Sequence, residues 1–170
     1  MGNQNIKFSF VFLGQSVLKY QVPLDIFNTI NEIYEKNFHN LASANEQLVG
    51  KIENEHSLFY SGKDESKMQN HNILPKNITD YFLSMFKHYL EWNQIVEYNA
   101  NINSIWVNEM KQHEYNPAHI HRGMLFTGLS SVMILKLPST FGKEYSAEHI
   151  KQNGKLQILG SSSGQFATID

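Results

Sequence analysis

The chain has 170 residues with 41% hydrophobic content, enough for one globular domain over 1–170 that buries a core without disulfides. Its 14 basic and 16 acidic residues give a formal charge of −2, and Arg122 is the only arginine, so a basic patch for DNA or RNA is excluded. Cysteine is absent, which leaves histidine and carboxylate as the strong metal ligands.

The N-terminal third begins with a predicted strand and continues into a helix. Phe8, Phe10 and Phe12 alternate with smaller residues, the period of two that is typical of a strand, and Gly14 predicts a turn after it. From Pro23 to about Asn37 the apolar residues recur at helical spacing, and proline suits a first helical turn because its missing N–H is not needed there. No charged segment followed by a long apolar run precedes the strand, so we expect a soluble, cytoplasmic protein without membrane contact.

The middle of the chain predicts a strand, a loop and a second helix. A strand is expected near Ser57–Tyr60, followed by a charged, Asn-rich loop through Asn72. Asn77 is predicted to cap a helix whose apolar positions between Ile78 and Leu90 follow the i, i+3, i+4, i+7 pattern of a buried face.

The last 70 residues read as a sheet. Ser104–Met110, Phe126–Leu137 and Lys155–Leu159 are rich in β-forming residues, and Ala167–Asp170 reads as a strand or strand exit. The run Gly160–Gly164 lacks the Gly-Lys-Ser/Thr ending of a phosphate-binding loop, which favours a loop or hairpin. Helix-rich residues 1–100 followed by sheet-rich residues 101–170 predict an α+β fold.

One short motif carries candidate chemistry. In Asn116–Gly123 the spacing His119-x-His121 places both imidazoles on one face of an extended segment, where one metal ion can contact both. Two imidazoles and a third protein ligand leave positions open for substrate and dioxygen, as in non-haem iron enzymes. The competing interpretation is that both histidines are solvated loop residues.

The longer string around this motif resembles a known family. His113–Pro138, with Trp106-Val107-Asn108 before it and Gly154–Phe166 after it, resembles the 2-oxoglutarate and Fe(II)-dependent oxygenases of tailed marine phages and marine bacteria. The likeness runs through Gly50–Tyr60, Met68–Asn93 and Trp106–Asp170, and Asn116–Pro138 is its most specific part.

The resemblance implies a double-stranded β-helix, a jelly roll of the cupin type, with N-terminal helices packed on the sheet. It implies Fe(II) as cofactor and 2-oxoglutarate and dioxygen as cosubstrates, with oxidative decarboxylation coupled to hydroxylation of a C–H bond in a substrate that the sequence does not disclose. For a phage-encoded member, the location implied is the cytoplasm of the bacterial host.

The same resemblance implies the site residues. His119 matches the leading histidine of the family's metal motif, whereas His121 falls where most relatives carry a carboxylate. His121 is therefore the second ligand, or Glu114 takes that role, or His121 orients its neighbour by a hydrogen bond, in that order of preference. From their spacing, Trp106 and Asn108 are expected to share one face of their strand, with Met133 facing them across the sheet, and these three residues with Ser130 are expected to line the cosubstrate pocket.

The chain departs from the family pattern in its last part. Only His149 follows His121, in a polar stretch that reads as exposed loop, and no arginine follows Arg122 to hold the cosubstrate carboxylate. We therefore expect the distal part of the β-helix to be encoded beyond Asp170, and an open sheet edge that favours pairing with a second copy of the chain.

Two alternatives to an oxygenase stay open. A cupin-like metal-binding protein is the first, although no acidic residue stands between His121 and Glu144, where cupins usually place a glutamate. A catalytically inactive interaction module that keeps the fold is the second, since fold does not determine function.

Overall fold

A computed structural model describes residues 7–12, 16–44, 50–61, 72–117, 119, 128–143, 153–159 and 166–169. The chain groups into two compact units, which we treat separately. The central unit comprises Val22–Ser131, and the terminal unit comprises Met1–Gln21 together with Val132–Asp170. Within the described residues, no helix is long and apolar enough to cross a membrane.

The elements follow in chain order. They are β1 (Phe8–Phe12), β2 (Ser16–Tyr20), α1 (Leu24–Asn37) with a short 3-10 helix (Phe38–Asn40), β3 (Asn54–Tyr60), α2 (Lys76–Trp92), β4 (Ser104–Glu109), β5 (Leu156–Leu159) and β6 (Phe166–Ile169). Helix α1, β3, α2 and β4 belong to the central unit, and the other four strands to the terminal unit. The mixture of helices and antiparallel strands agrees with the predicted α+β class.

Both helices start directly after a proline. Pro23 and Pro75 occupy the N-cap positions with extended backbones, since a proline restricts its own backbone and lacks the N–H that would continue a helix. The predicted helices are confirmed, but the prediction that Asn77 caps α2 is wrong. Asn77 already lies inside the helix, and no side chain caps the N-terminus of α2. The boundary is set two residues earlier by Pro75.

Strand β3 is the middle strand of the central unit. One edge of β3 pairs antiparallel with β4, from Asn54↔Glu109 to Tyr60↔Ser104. Along its other edge run residues 42–44, where Ala44 donates its N–H to the Glu55 carbonyl at 2.9 Å and Ser57 donates to the Ala42 carbonyl at 2.8 Å. The strand predicted near Ser57–Tyr60 is therefore confirmed and extends three residues further toward the N-terminus.

The hydrophobic core found among the described residues lies wholly in the central unit. Its buried side chains are Ile30, Tyr34, Ala44, Ile52, Leu58, Leu74, Ile78 and Met85. Leu58 stands at a β-bulge between Ser57 and Phe59 and is 1% exposed, while Ile78 on the first turn of α2 is 0% exposed. Removing such side chains from water stabilises the fold by about 1.5–3 kcal/mol each.

The terminal unit contains two antiparallel hairpins. Strands β1 and β2 pair from Phe8↔Tyr20 to Phe12↔Ser16, which confirms the first predicted strand and adds a second that the sequence did not predict. Strands β5 and β6 pair from Leu156↔Ile169 to Leu159↔Phe166. The run Gly160–Gly164, predicted to be a loop or hairpin, lies outside the described residues, as does Gly14.

The strand predicted over Phe126–Leu137 does not form in the part that the structure describes. Residues 128–137 carry no strand, and Val132 and Ile134 are 62% and 54% exposed. A β-rich run forms a strand only when a neighbouring backbone pairs with it, and the described residues form three two-stranded sheets that exclude this segment. The double-stranded β-helix and the single domain over 1–170 stay predictions.

Candidate metal centre

The chain reaches the His119 motif through an interrupted ladder. Beyond β4, Lys51 and Tyr115 form an antiparallel bridge with backbone hydrogen bonds of 2.9 and 3.1 Å. Extending the Asn54–Glu109 register by three positions would bring Gln112 opposite Lys51, yet Tyr115 stands there. Residues 110–114 therefore leave the ladder as a short excursion before pairing resumes.

Glu114 holds this excursion in place. Its Oε1 accepts the N–H of Glu53 at 2.9 Å, and its Oε2 accepts the N–H of Lys111 at 2.6 Å. The Lys111 N–H above all, with smaller help from the Glu53 N–H and from two lysine charges, lowers the pKa of the Glu114 carboxyl despite an opposing effect of burial. Lys111 in turn pairs with Glu53 at 3.1 Å. Glu114 thus braces the loop, and its alternative role as a metal ligand stays a prediction.

Gly50 allows the two backbones to approach closely beside the bridge. A Cβ at this position would lie 2.9 Å from the Asn116 Cα, 2.9 Å from the Pro117 Cδ and nearer still to the Tyr115 carbonyl oxygen. Two of these neighbours are backbone atoms that cannot rotate away, so a larger residue would displace the chain. Glycine here sets the course of the segment that leads to His119.

His119 is exposed, and its ring is oriented by a local contact. The Nδ1 atom lies 2.7 Å from the Pro117 carbonyl oxygen. Because a carbonyl oxygen only accepts, this hydrogen bond requires the proton on Nδ1 and leaves the lone pair on Nε2. Metal-binding histidines commonly have the same arrangement, in which a carbonyl fixes the tautomer of the ligand.

The other predicted ligands are not described. His121 and the distal candidate His149 both lie outside the described residues, so the structure does not test whether two imidazoles converge on one ion. Within the described ranges, no group of three or more histidine, aspartate, glutamate or cysteine residues is arranged to hold a metal.

The predicted pocket residues fall in different places. Trp106 and Asn108 share one face of β4 as predicted from their spacing, and Trp106 is 37% exposed. Ser130 is exposed in the central unit, whereas Met133 is half-buried and belongs to the terminal unit. It stays a prediction that Met133 faces β4 and that the four residues line one pocket.

Two buried polar residues that the sequence did not predict lie on β3, beside Trp106 and Asn108 of β4. Ser57 pairs with Trp106, and Glu55 pairs with Asn108. Ser57 is 0% exposed and Glu55 is 5% exposed, and burial raises the pKa of the Glu55 carboxyl. Within the described residues, Ser57 Oγ and Asn108 Oδ1 are buried without a hydrogen-bond partner. Four consecutive polar residues open β3, so the sequence carries no alternation that would separate a buried face from an exposed one.

The arrangement at His119 presents an imidazole whose Nδ1 is hydrogen-bonded to the Pro117 carbonyl, on a segment whose path is set by Gly50 and Glu114. Such a group can donate a lone pair to Fe(II), Zn(II) or a similar ion. Comparison of the chain with protein-family models, with the curated proteins and with the solved structures found no match.

Proposed function

We propose that the chain is an Fe(II) and 2-oxoglutarate-dependent oxygenase that hydroxylates a C–H bond of its substrate. The observation that carries the proposal is the hydrogen bond between His119 Nδ1 and the Pro117 carbonyl at 2.7 Å. It selects the tautomer that binds a metal through Nε2, at the histidine that the sequence motif indicates as the first ligand.

The residues present suit part of such a site. His119 would hold Fe(II) through Nε2 and His121 would be the second ligand, while Trp106, Asn108, Ser130 and Met133 would line the cosubstrate pocket. When bound, Fe(II) and 2-oxoglutarate supply an oxidative decarboxylation that consumes dioxygen, releases succinate and carbon dioxide, and transfers one oxygen atom to the substrate. Trp106 offers an exposed ring and Asn108 a buried amide oxygen, the mixture of apolar and polar groups that is typical of small-molecule pockets.

The test is an anaerobic titration of the full chain with Fe(II) and then with 2-oxoglutarate. Bidentate chelation of the metal by the cosubstrate gives a visible charge-transfer band, which we expect for the native chain and not for His119→Ala. His39→Ala is the matched control, because His39 is an exposed histidine of the central unit outside the motif. The band should persist in that variant.

Three results would contradict the proposal. A band of equal intensity in His119→Ala would show that the ion is bound elsewhere. Fe(II) binding that His119→Ala abolishes, with no band when 2-oxoglutarate is added, would instead favour the cupin-like metal-binding alternative. Absence of both binding and band would favour the inactive interaction module.

A further inference from the structure

A second polar cluster lies on the other face of β3. His56 alternates with Glu55 and Ser57 along the strand and therefore points to the opposite side. In the ladder His56 pairs with Val107 and Asn54 pairs with Glu109, so His56 and Glu109 are diagonal neighbours on that face. Helix α1 contributes Tyr34, whose ring centroid lies 6.0 Å from that of His56. Three elements of the central unit thus bring a phenol, an imidazole and a carboxylate together.

The polar atoms of this cluster are buried. Tyr34 is 8% exposed, and the ring of Phe38 covers His56 with a centroid distance of 4.8 Å. Within the described residues, the Tyr34 hydroxyl and both ring nitrogens of His56 are shielded from solvent and lack a hydrogen-bond partner. Buried polar groups in folded proteins nearly always have a partner. The two His56 nitrogens therefore indicate that something else binds them, whereas the Tyr34 hydroxyl has the Glu109 carboxylate close by.

Glu109 places a negative charge beside both of these groups. Burial first, and then the charge and hydrogen-bonding capacity of Glu109, raise the pKa of the Tyr34 hydroxyl. Burial lowers the pKa of His56, and the Glu109 charge partly opposes this. The Asn54 amide donates to Glu109 Oε2 at 3.2 Å and holds that carboxylate from the strand side.

We propose that Tyr34, His56 and Glu109 bind a divalent transition-metal ion at a site built without His119 and His121. An imidazole nitrogen and a carboxylate are donors that such ions accept readily, and the Tyr34 hydroxyl adds a weaker oxygen donor. The positive charge of the ion would compensate the Glu109 carboxylate and satisfy the unpartnered atoms at the same time. Because those atoms are shielded from solvent, the occupant is a small ion and not an organic molecule.

The experiment uses Co(II) as the probe and the double variant His119→Ala, His121→Ala as the protein, so that the motif histidines contribute nothing. We expect this variant to bind Co(II) with a visible ligand-field spectrum. Adding His56→Gln or Glu109→Gln should weaken binding by more than the roughly 10–100-fold that loss of an outer-shell partner costs. Tyr34→Phe, which keeps the ring and loses only the hydroxyl, should weaken it less.

Glu32→Gln is the matched control, because Glu32 is an exposed carboxylate on the same helix as Tyr34. Its Co(II) affinity should equal that of the double variant. Circular dichroism of each variant separates loss of the site from loss of the fold. The proposal is overturned if the folded double variant binds no Co(II), or if His56→Gln and Glu109→Gln leave the affinity unchanged. Either failure leaves the oxygenase proposal untouched, since that proposal depends on His119.

Discussion

Two stretches that are predicted as strands from the sequence differ in the structure. The predictions cover Ser57–Tyr60 and Phe126–Leu137, yet among the described residues only the first forms a strand, β3, which is paired along both edges and buries Leu58 to 1% exposure. In the second stretch Val132, Ile134 and Leu137 are between 54% and 62% exposed. The difference teaches that a β-rich pattern becomes a strand through its backbone partners and the helix packed on it, and not through propensity alone.

The sharpest test of this comparison removes one leucine from each stretch. Leu58→Ala should lower the free energy of unfolding by about 2–5 kcal/mol, because it leaves a cavity in a closed core. Leu137→Ala, at a side chain that is 58% exposed, should change it by no more than about 0.5 kcal/mol. Urea denaturation of both variants measures the two values. Equal losses would mean that residues 128–141 are as well packed as β3.

A pair of glycines gives the next largest contrast. Gly50→Ala should destabilise the fold by about 1–3 kcal/mol, because the new methyl group would overlap backbone atoms at Tyr115 and Asn116. Gly128→Ala meets no atom within 4 Å and should be neutral or slightly stabilising, since alanine restricts the unfolded chain. Thermal unfolding distinguishes them. If Gly50→Ala left stability unchanged, the close approach beside the Lys51–Tyr115 bridge would be refuted.

Burial within β3 also predicts a pH effect. Burial raises the folded-state pKa of Glu55 above its ordinary value of 4.5. The protonated carboxyl therefore stabilises the fold fully below the unfolded pKa, and this stabilisation is lost as pH rises through the folded pKa. Glu55→Gln, which never ionises, should therefore be more stable than the native chain at pH 7 and equal to it near pH 4. Denaturation midpoints across this range measure the difference. A variant that is less stable at pH 7 would show that the buried carboxylate is compensated.

The smallest effect belongs to the loop that follows β4. Two backbone N–H groups lower the pKa of Glu114. The ionised carboxylate therefore stabilises the fold above the unfolded pKa, and this stabilisation is lost as pH falls through the lower folded pKa. Glu114→Gln should unfold at a slightly lower temperature than the native chain at neutral pH, and this gap in unfolding temperature should disappear in acid. Salt should reduce it, because the group is exposed. A gap that widens in acid would contradict the assigned hydrogen bonds.

Elements with a clear period were predictable from the sequence. Helix α2 repeats its apolar residues over more than four turns, and β4 and β5 are short runs of β-forming residues with turn residues on either side. Residues 42–44 were not predictable, because their pairing with β3 uses backbone groups and their side chains are small and uninformative. The position of the α2 cap was missed because an asparagine and a proline compete for the same boundary, and the proline prevails.

The residues of the two candidate sites also differ in how far the sequence predicts them. His119 could be found because the motif is local, although its contact with Pro117 depends on a turn geometry that spacing does not encode. The second cluster consists of residues that are 22 and 53 positions apart in the sequence, Tyr34, His56 and Glu109. Only tertiary packing reveals that they lie close together. The same reason hid Ser57, whose burial follows from the strands on both of its sides.

The excursion over residues 110–114 separates the β4 ladder from the segment that leads to His119. Pairing resumes at Tyr115, and the residues between lie outside the ladder, so a change of length there need not disturb the pairing on either side. A substitution at Glu114 would act differently, because its carboxylate accepts the N–H groups of Glu53 and Lys111. The course of the chain toward His119 therefore depends on one side chain of this loop more than on the loop's length.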